Sequence, residues 1–210
     1  MAIQDIFQAV IGLDAGKVVS EVNGELEAGT NANTILQEGL IKAMDEVGER
    51  FSAGETFVPE MLMSAQAMKT GVEVLKPHLT GEADTKIGTI VIGSVHGDLH
   101  DIGKNLVCIM LEGAGFNVVD LGVDITKEAF VEAAKEHNAD IIGLSTLLTT
   151  TMCNVEETIE AVKEAGIRDS VKILVGGAPL SQEYAESIGA DAFAADAGDA
   201  GKVARQLVLH

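Results

Sequence analysis

From residue 87 onward, short β-branched runs alternate with stretches whose apolar residues recur every three or four positions. The runs Ile87–Val95, Asn117–Leu121, Ala139–Thr146, Val171–Gly176 and Asp191–Ala195 predict strands. The amphipathic stretches 103–115, 126–138, 153–166, 181–189 and 198–208 predict helices between and after them. Strand and helix in strict alternation form a parallel sheet, because each crossover returns the chain to the same edge. Five such units predict the doubly wound strand order 2-1-3-4-5, in which ligands bind beyond the carboxyl ends of the strands where strands 1 and 3 part. The loops after those two strands are where chemistry is expected.

Residues 1–79 show no strand pattern and four helical stretches, near 2–12, 14–28, 33–52 and 59–78. Leu36, Leu40, Met44, Val47 and Phe51 form one apolar stripe on the third. Leu62, Ala65, Met68, Val72, Leu75 and Leu79 form another on the fourth, which begins at Pro59, a residue suited to the first helical position. A four-helix bundle buries such stripes with short connections. The polar segment Thr80–Lys86 then reads as a linker and hinge between two domains, 1–80 and 87–210. The expected fold class is α/β, a flavodoxin-like (Rossmann-like) five-stranded parallel sheet preceded by an all-α four-helix bundle.

Composition narrows the function classes. A content of 47% hydrophobic residues supports packed cores, and the formal net charge of −19 repels nucleic acid phosphates and anionic membrane surfaces. The start, Met1-Ala2-Ile3-Gln4-Asp5, has no basic region and no apolar run reaches bilayer length, so a cytoplasmic protein is expected. Cys108 and Cys153 lack metal-type spacing and read as reduced, packed thiols.

The loop after the first strand, Gly97-Asp98-Leu99-His100-Asp101-Ile102-Gly103-Lys104-Asn105, sets an imidazole two residues from a carboxylate at the predicted ligand edge. A metal-ligating histidine commonly donates its second ring N–H to a carboxylate, which fixes the tautomer and strengthens the donating nitrogen. Asp98 is the candidate for that role, and Gly97 and Gly103 allow close approach of a bulky ligand and tight packing into the next helix. Ser145-Thr146-Leu147-Leu148-Thr149-Thr150-Thr151 brings a row of hydroxyls to the same edge after strand 3, and Gly176-Gly177 ends strand 4 beside it. Taken singly, the hydroxyls read as helix caps and the glycines as turn geometry; together at one edge they outline a slot. His96 lacks a carboxylate at the same spacing and reads as a pocket-edge residue.

These residues carry a resemblance. Asp98-x-His100-x-x-Gly103, Ser145-x-Leu147 and Gly176-Gly177, at these separations, resemble the cobalamin-binding domain of methionine synthase and of corrinoid methyltransferase proteins. The resemblance implies that His100 binds cobalt in place of the cofactor's own base, supported by Asp98 and by Thr151, which matches a serine of that family. It implies that Gly97, Leu99, Asp101, Ile102, Gly103, Ser145, Leu147, Thr149, Gly176, Gly177 and Ala197 contact cobalamin, in its methylated or cob(I)alamin form or as a related corrinoid. Residues 1–80 resemble the helical cap over the upper cofactor face, which implies Phe51, Val58 and Met61 as covering residues and Gln37 at the corrin rim; Met44 and Met63 could join the lid or fill the bundle.

The function so implied is that of a methyl carrier that does not turn over substrate alone. Its partners would be a substrate-specific methyltransferase, an acceptor methyltransferase acting on tetrahydrofolate or a thiol, and a reductive activase. Three readings compete, the plainest being a flavodoxin-like domain with a coincidental His loop, which must explain three motifs and a cap by chance. The small subunit of an adenosylcobalamin isomerase shares the motifs without this helical half, and a cobalamin sensor would need a DNA-binding head for which neither basic surface nor spare length is evident.

Overall fold

The computed structural model describes residues 2–79 and 87–209. The chain divides into two compact units, Met1–Lys86 with Gly113–Gly115, and Ile87–Glu112 with Phe116–His210. The expected hinge, Thr80–Lys86, lies outside the described residues.

The first unit is helical. Helices α1 (Ala2–Ile11) and α2 (Ala15–Glu27) are joined at Leu13, which takes a left-handed φ of 62°, and Asp14 caps α2 by accepting from Lys17 N at 2.9 Å. The expected third helix is one run in three parts: α3 (Ala32–Thr34), a π-helical stretch Ile35–Ile41, and α4 (Lys42–Ser52). The π turn widens the helix, so Ile35, Leu36, Gly39, Leu40 and Ile41 are all buried, a broader face than the single stripe expected.

Helix α5 (Val58–Leu75) starts one residue before Pro59, with the Phe57 N–H held by the Glu60 carboxylate at 2.9 Å. Its buried face is Met61, Ser64, Ala67, Met68, Gly71 and Leu75, whereas Leu62 is 40% exposed. The expected stripe was offset at its start because hydropathy discounts small residues, and close helix contact uses them. Gly71 shows the reason: a Cβ there would lie 2.8 Å from Val18 Cγ1 and 3.0 Å from Leu40 Cδ2.

The second unit is a five-stranded parallel sheet ordered β2-β1-β3-β4-β5, as the alternation predicted. Its strands are β1 (Thr89–Ser94), β2 (Asn117–Asp120), β3 (Ile141–Ser145), β4 (Lys172–Gly176) and β5 (Ala192–Ala194). The helices are α6 (Ile102–Gly113), α7 (Lys127–Glu136), α8 (Met152–Glu164), α9 (Gln182–Ser187) and α10 (Ala197–Leu209). The central residues of β1, β3 and β4 are buried, as expected of strands covered on both faces. Val91, Ile142, Ile173 and Val175 meet Phe130 of α7 and Val155, Ile159 and Val162 of α8 in one apolar core.

Register decides where the loops emerge. Ser94 pairs with Ser145, Ser145 with Gly176, and Gly176 with Ala194, so four strands end level at the carboxyl edge. Among the described residues no helix is long and apolar enough to cross a membrane. Cys108 is buried, its thiol pushed up to about 12 by burial and then by the Asp120 charge, so it stays protonated; Cys153, expected to be packed, is exposed.

Replacing Gly71 by Ala tests the packing of the helical unit. In an open helix the change gains about 1 kcal/mol of propensity; here overpacking against Val18 and Leu40 should outweigh that and leave the protein about 1–3 kcal/mol less stable in urea unfolding.

Candidate functional site

The carboxyl edge is organised around one fully buried carboxylate, Asp98. Its Oδ1 accepts from the His100 backbone N at 3.0 Å, which closes a local turn, and lies 2.8 Å from His100 Nδ1. Its Oδ2 is met by Leu147 N at 2.6 Å, Leu148 N at 3.3 Å, and the hydroxyls of Thr146 and Thr151 at 3.1 Å each. Burial alone would raise the pKa of Asp98. The bonds from Leu147 N, His100 N, the His100 ring and Thr146 outweigh it and hold the carboxyl well below its usual range. Asp98 is therefore an acceptor only, and His100 Nδ1 must carry the proton in their shared bond. Nε2 is left free on a side chain that is half exposed.

The backbone fixes His100 as well. Ser94, fully buried at the end of β1, donates its hydroxyl to the His100 carbonyl at 2.6 Å. Thr151 heads α8 at the N-cap position yet makes no side-chain cap bond, its hydroxyl lying beside Asp98 instead, so the helix-cap reading of that residue is set aside. Thr146 is equally buried and stands 2.6 Å from the Thr151 hydroxyl.

Two supports escaped the sequence reading because they come from the loop after β2. Asp124, at a left-handed φ of 56°, accepts from Gly97 N at 2.7 Å, and its own N–H donates to the Asp98 carbonyl at 3.0 Å. The same carboxylate lies 2.7 Å from His96 Nδ1. His96 thus has a carboxylate after all, supplied by tertiary contact. It sits at the rim of a cavity of about 250 Å³ whose lining includes Thr126, Lys127, Asn154 and Glu157. Lys104, with a side chain 1% exposed, bonds Asp120 at the end of β2 at 2.6 and 2.7 Å and pins the first turn of α6. A cation in a helix's first turn opposes the helix dipole, and the Asp120 charge offsets that cost.

Around this centre the edge is open and apolar. Leu99 is 71% exposed, Ile102 79%, and Leu147 and Leu148 are also exposed. Asp101 is exposed and bonds Asn105; Thr149 is exposed; Ser145 is half-buried; Ala197 is buried at the start of α10. A Cβ on Gly103 would meet nothing within 4 Å, so this glycine leaves open space and does not serve tight helix packing.

Gly177 also departs from expectation. At φ +128°, its Cβ would fall 1.8 Å from the Thr146 carbonyl oxygen, so glycine is demanded by backbone approach of the β4 loop to the β3 loop. Gly176 is less constrained, with Ala194 O at 3.3 Å.

In the helical unit Phe51 and Val58 are half-buried, Gln37 is exposed, and Phe57 and Met63 are 67% and 52% exposed. Met61 and Met44 are 0% and 1% exposed.

The donor set suits a metal that brings its own equatorial ligands. Among the described residues no three His, Cys, Asp or Glu side chains converge as a site for a free ion; of the two imidazoles that a carboxylate orients, His100 is held by the buried Asp98 and His96 by the exposed Asp124. Residues 88–207 match the B12 binding domain, and residues 2–76 match a second B12 binding domain model. The chain belongs to the B12-binding corrinoid protein family. This corrinoid protein is 45% identical to dimethylamine corrinoid protein 1 of Methanosarcina acetivorans, over 98% of this chain and 97% of that one. Among solved structures it is similar to a cobalamin-binding protein from Desulfitobacterium hafniense, with 33% identity, 98% of both chains covered and a TM-score of 0.84. It is also similar to a chain of the methanol:cobalamin methyltransferase complex of Methanosarcina barkeri, with 30% identity, 99% of this chain and 80% of that one covered, and a TM-score of 0.81. The expectations of a corrinoid cofactor and of a role in methyltransferase systems stand on these matches.

The glycine geometry yields a test on the apoprotein. Gly177→Ala should destabilise the sheet unit by about 2 kcal/mol or more, since both the backbone conformation and the Thr146 contact oppose a side chain. Gly176→Ala should cost clearly less in the same denaturant titration.

Proposed function

We propose that this corrinoid protein carries a methyl group between two methyltransferases in the cytoplasm, with cobalamin held base-off and His100 as the lower axial ligand. The observation that carries the reading is the His100 ring, tied through Nδ1 to a buried carboxylate at 2.8 Å with Nε2 left to donate. Bound cobalamin would supply a metal that accepts and releases a methyl group. This chain's residues do the rest. Asp98 holds the tautomer and aims the ring, Thr151 steadies Asp98, and the Ser94 hydroxyl anchors the peptide that bears the imidazole. Leu99, Ile102 and Leu147 are exposed apolar side chains that would exclude water from a bound macrocycle. The displaced base and its tail would pass Ser145, Leu147 and Gly176, with Gly177 letting the two loops close on each other. In the helical unit Phe51, Val58 and Gln37 are the proposed cofactor contacts, and Phe57 and Met63 are large and exposed.

The partners are a substrate-specific methyltransferase, an acceptor methyltransferase using tetrahydrofolate or a thiol, and a reductive activase. Identity of 45% to a dimethylamine corrinoid protein, against 30% to a chain of the methanol complex, favours a methylamine as donor. The match to that relative runs through the helical half, which an isomerase subunit would not need.

Replacing His100 by Ala should change the electron paramagnetic resonance of the cobalt(II) form, with loss of the axial nitrogen splitting, more than it weakens corrinoid binding. An unaltered cobalt(II) spectrum in the variant would remove His100 as the ligand and return attention to His96.

A further inference from the structure

The Asp98 carboxylate is approached by six donors, more than its four lone-pair sites accept at good geometry. Leu147 N at 2.6 Å takes one position on Oδ2, and the two hydroxyls, both at 3.1 Å, compete for the other. They also stand 2.6 Å from each other, and the Leu148 carbonyl lies 3.0 Å from Thr151 Oγ1 and 3.4 Å from Thr146 Oγ1. Each hydroxyl has one proton. If Thr146 donates to Asp98, Thr151 donates to Thr146 or to the Leu148 carbonyl; if Thr151 donates to Asp98, Thr146 donates to Thr151. Both arrangements put one O–H on Asp98 and satisfy the second locally.

We infer that Thr146 is a second positioning residue, interchangeable with Thr151 as the hydroxyl donor that holds Asp98 against His100. The inference rests on the reading of Asp98 and His100 as the pair that orients the ligand. Both hydroxyls are buried, Thr146 at 1% and Thr151 at 6% exposure, so water does not readily substitute for either. Loss of one hydroxyl leaves the other within reach of Oδ2 with its proton free to turn, and only the loss of both leaves Oδ2 to the two backbone amides. The arrangement makes the support of His100 redundant at the side-chain level, which a single Ser or Thr position does not.

The test reads the full-length apoprotein, without cobalt. Nitrogen-15 shifts of the His100 ring report which nitrogen carries the proton when the imidazole is neutral. Thr146→Val and Thr151→Val should each keep the proton on Nδ1, and the double variant should mix the two tautomers. Hydroxocobalamin titration should agree, with each single variant within about twofold of the parent and the double variant weaker by roughly tenfold or more, the scale of outer-shell losses at metal sites. Loss of the Nδ1 preference in Thr151→Val alone, or its survival in the double variant, would overturn the proposal. If circular dichroism shows the double variant unfolded, Thr146→Ser combined with Thr151→Val decides the matter: retained Nδ1 protonation supports Thr146 as sufficient, and its loss overturns it. Failure of the ligand assignment would show instead in the cobalt(II) spectrum of the His100 variant, which the apoprotein tautomer does not depend on.

Discussion

The buried charge of Asp98 is the constraint around which the carboxyl edge is built. An ionised carboxylate out of water costs several kcal/mol unless its lone pairs are filled, and hydrogen bonds to a charged acceptor contribute about 1.5–3 kcal/mol each. Asp98 gathers its donors from its own loop and from the loop after β3, so the two loops that flank the topological switch point are bound through one side chain. The depressed pKa is the sign that the donors win over burial. Because the carboxylate remains an acceptor, the proton in its bond to His100 sits on the imidazole, and the orientation of the ring follows from the electrostatics of its neighbour.

That arrangement depends on strands ending level. Pairing of Ser94 with Ser145 and of Ser145 with Gly176 delivers the three loops side by side, and Gly177 then lets the β4 loop touch the Thr146 carbonyl. A fourth contributor arrives from the end of β2 and the loop after it, through Asp120 on Lys104 and Asp124 on Gly97. The loop that bears His100 is thus held from both sides of β1, and Ser94 holds it from beneath. Among the described residues no fully buried side-chain nitrogen or oxygen is left without a partner, which is what a rigid polar centre requires.

An imidazole held by a buried carboxylate beside exposed apolar residues suits a large metal cofactor that brings its own equatorial ligands. The exposed side chains Leu99, Ile102 and Leu147 on the sheet unit, and Phe57, Leu62 and Met63 on the helical unit, have the character of surfaces meant to be covered.

The sequence by itself determined the fold class, the strand order and the pairing of Asp98 with His100. Alternation of β-branched runs with 3.6-period stretches leaves few topologies, and Asp98 and His100 are close enough in the chain to pair through local geometry alone. It also determined that Thr151 would stand near them, through the resemblance of its segment to a known family. Only the tertiary structure decided the rest. Thr146, Ser94 and Asp124 join the site by register and by loop approach, and no short-range pattern records contacts made across 48 positions, as that of Thr146 with Asp98 is. The π-helical stretch at Ile35–Ile41 and the small-residue face of α5 were hidden because hydropathy measures preference for a dry interior, not the space a close helix contact leaves. Gly177 was legible as a glycine and misread in purpose: its reason is a carbonyl from another loop, brought there by the pairing of β3 with β4.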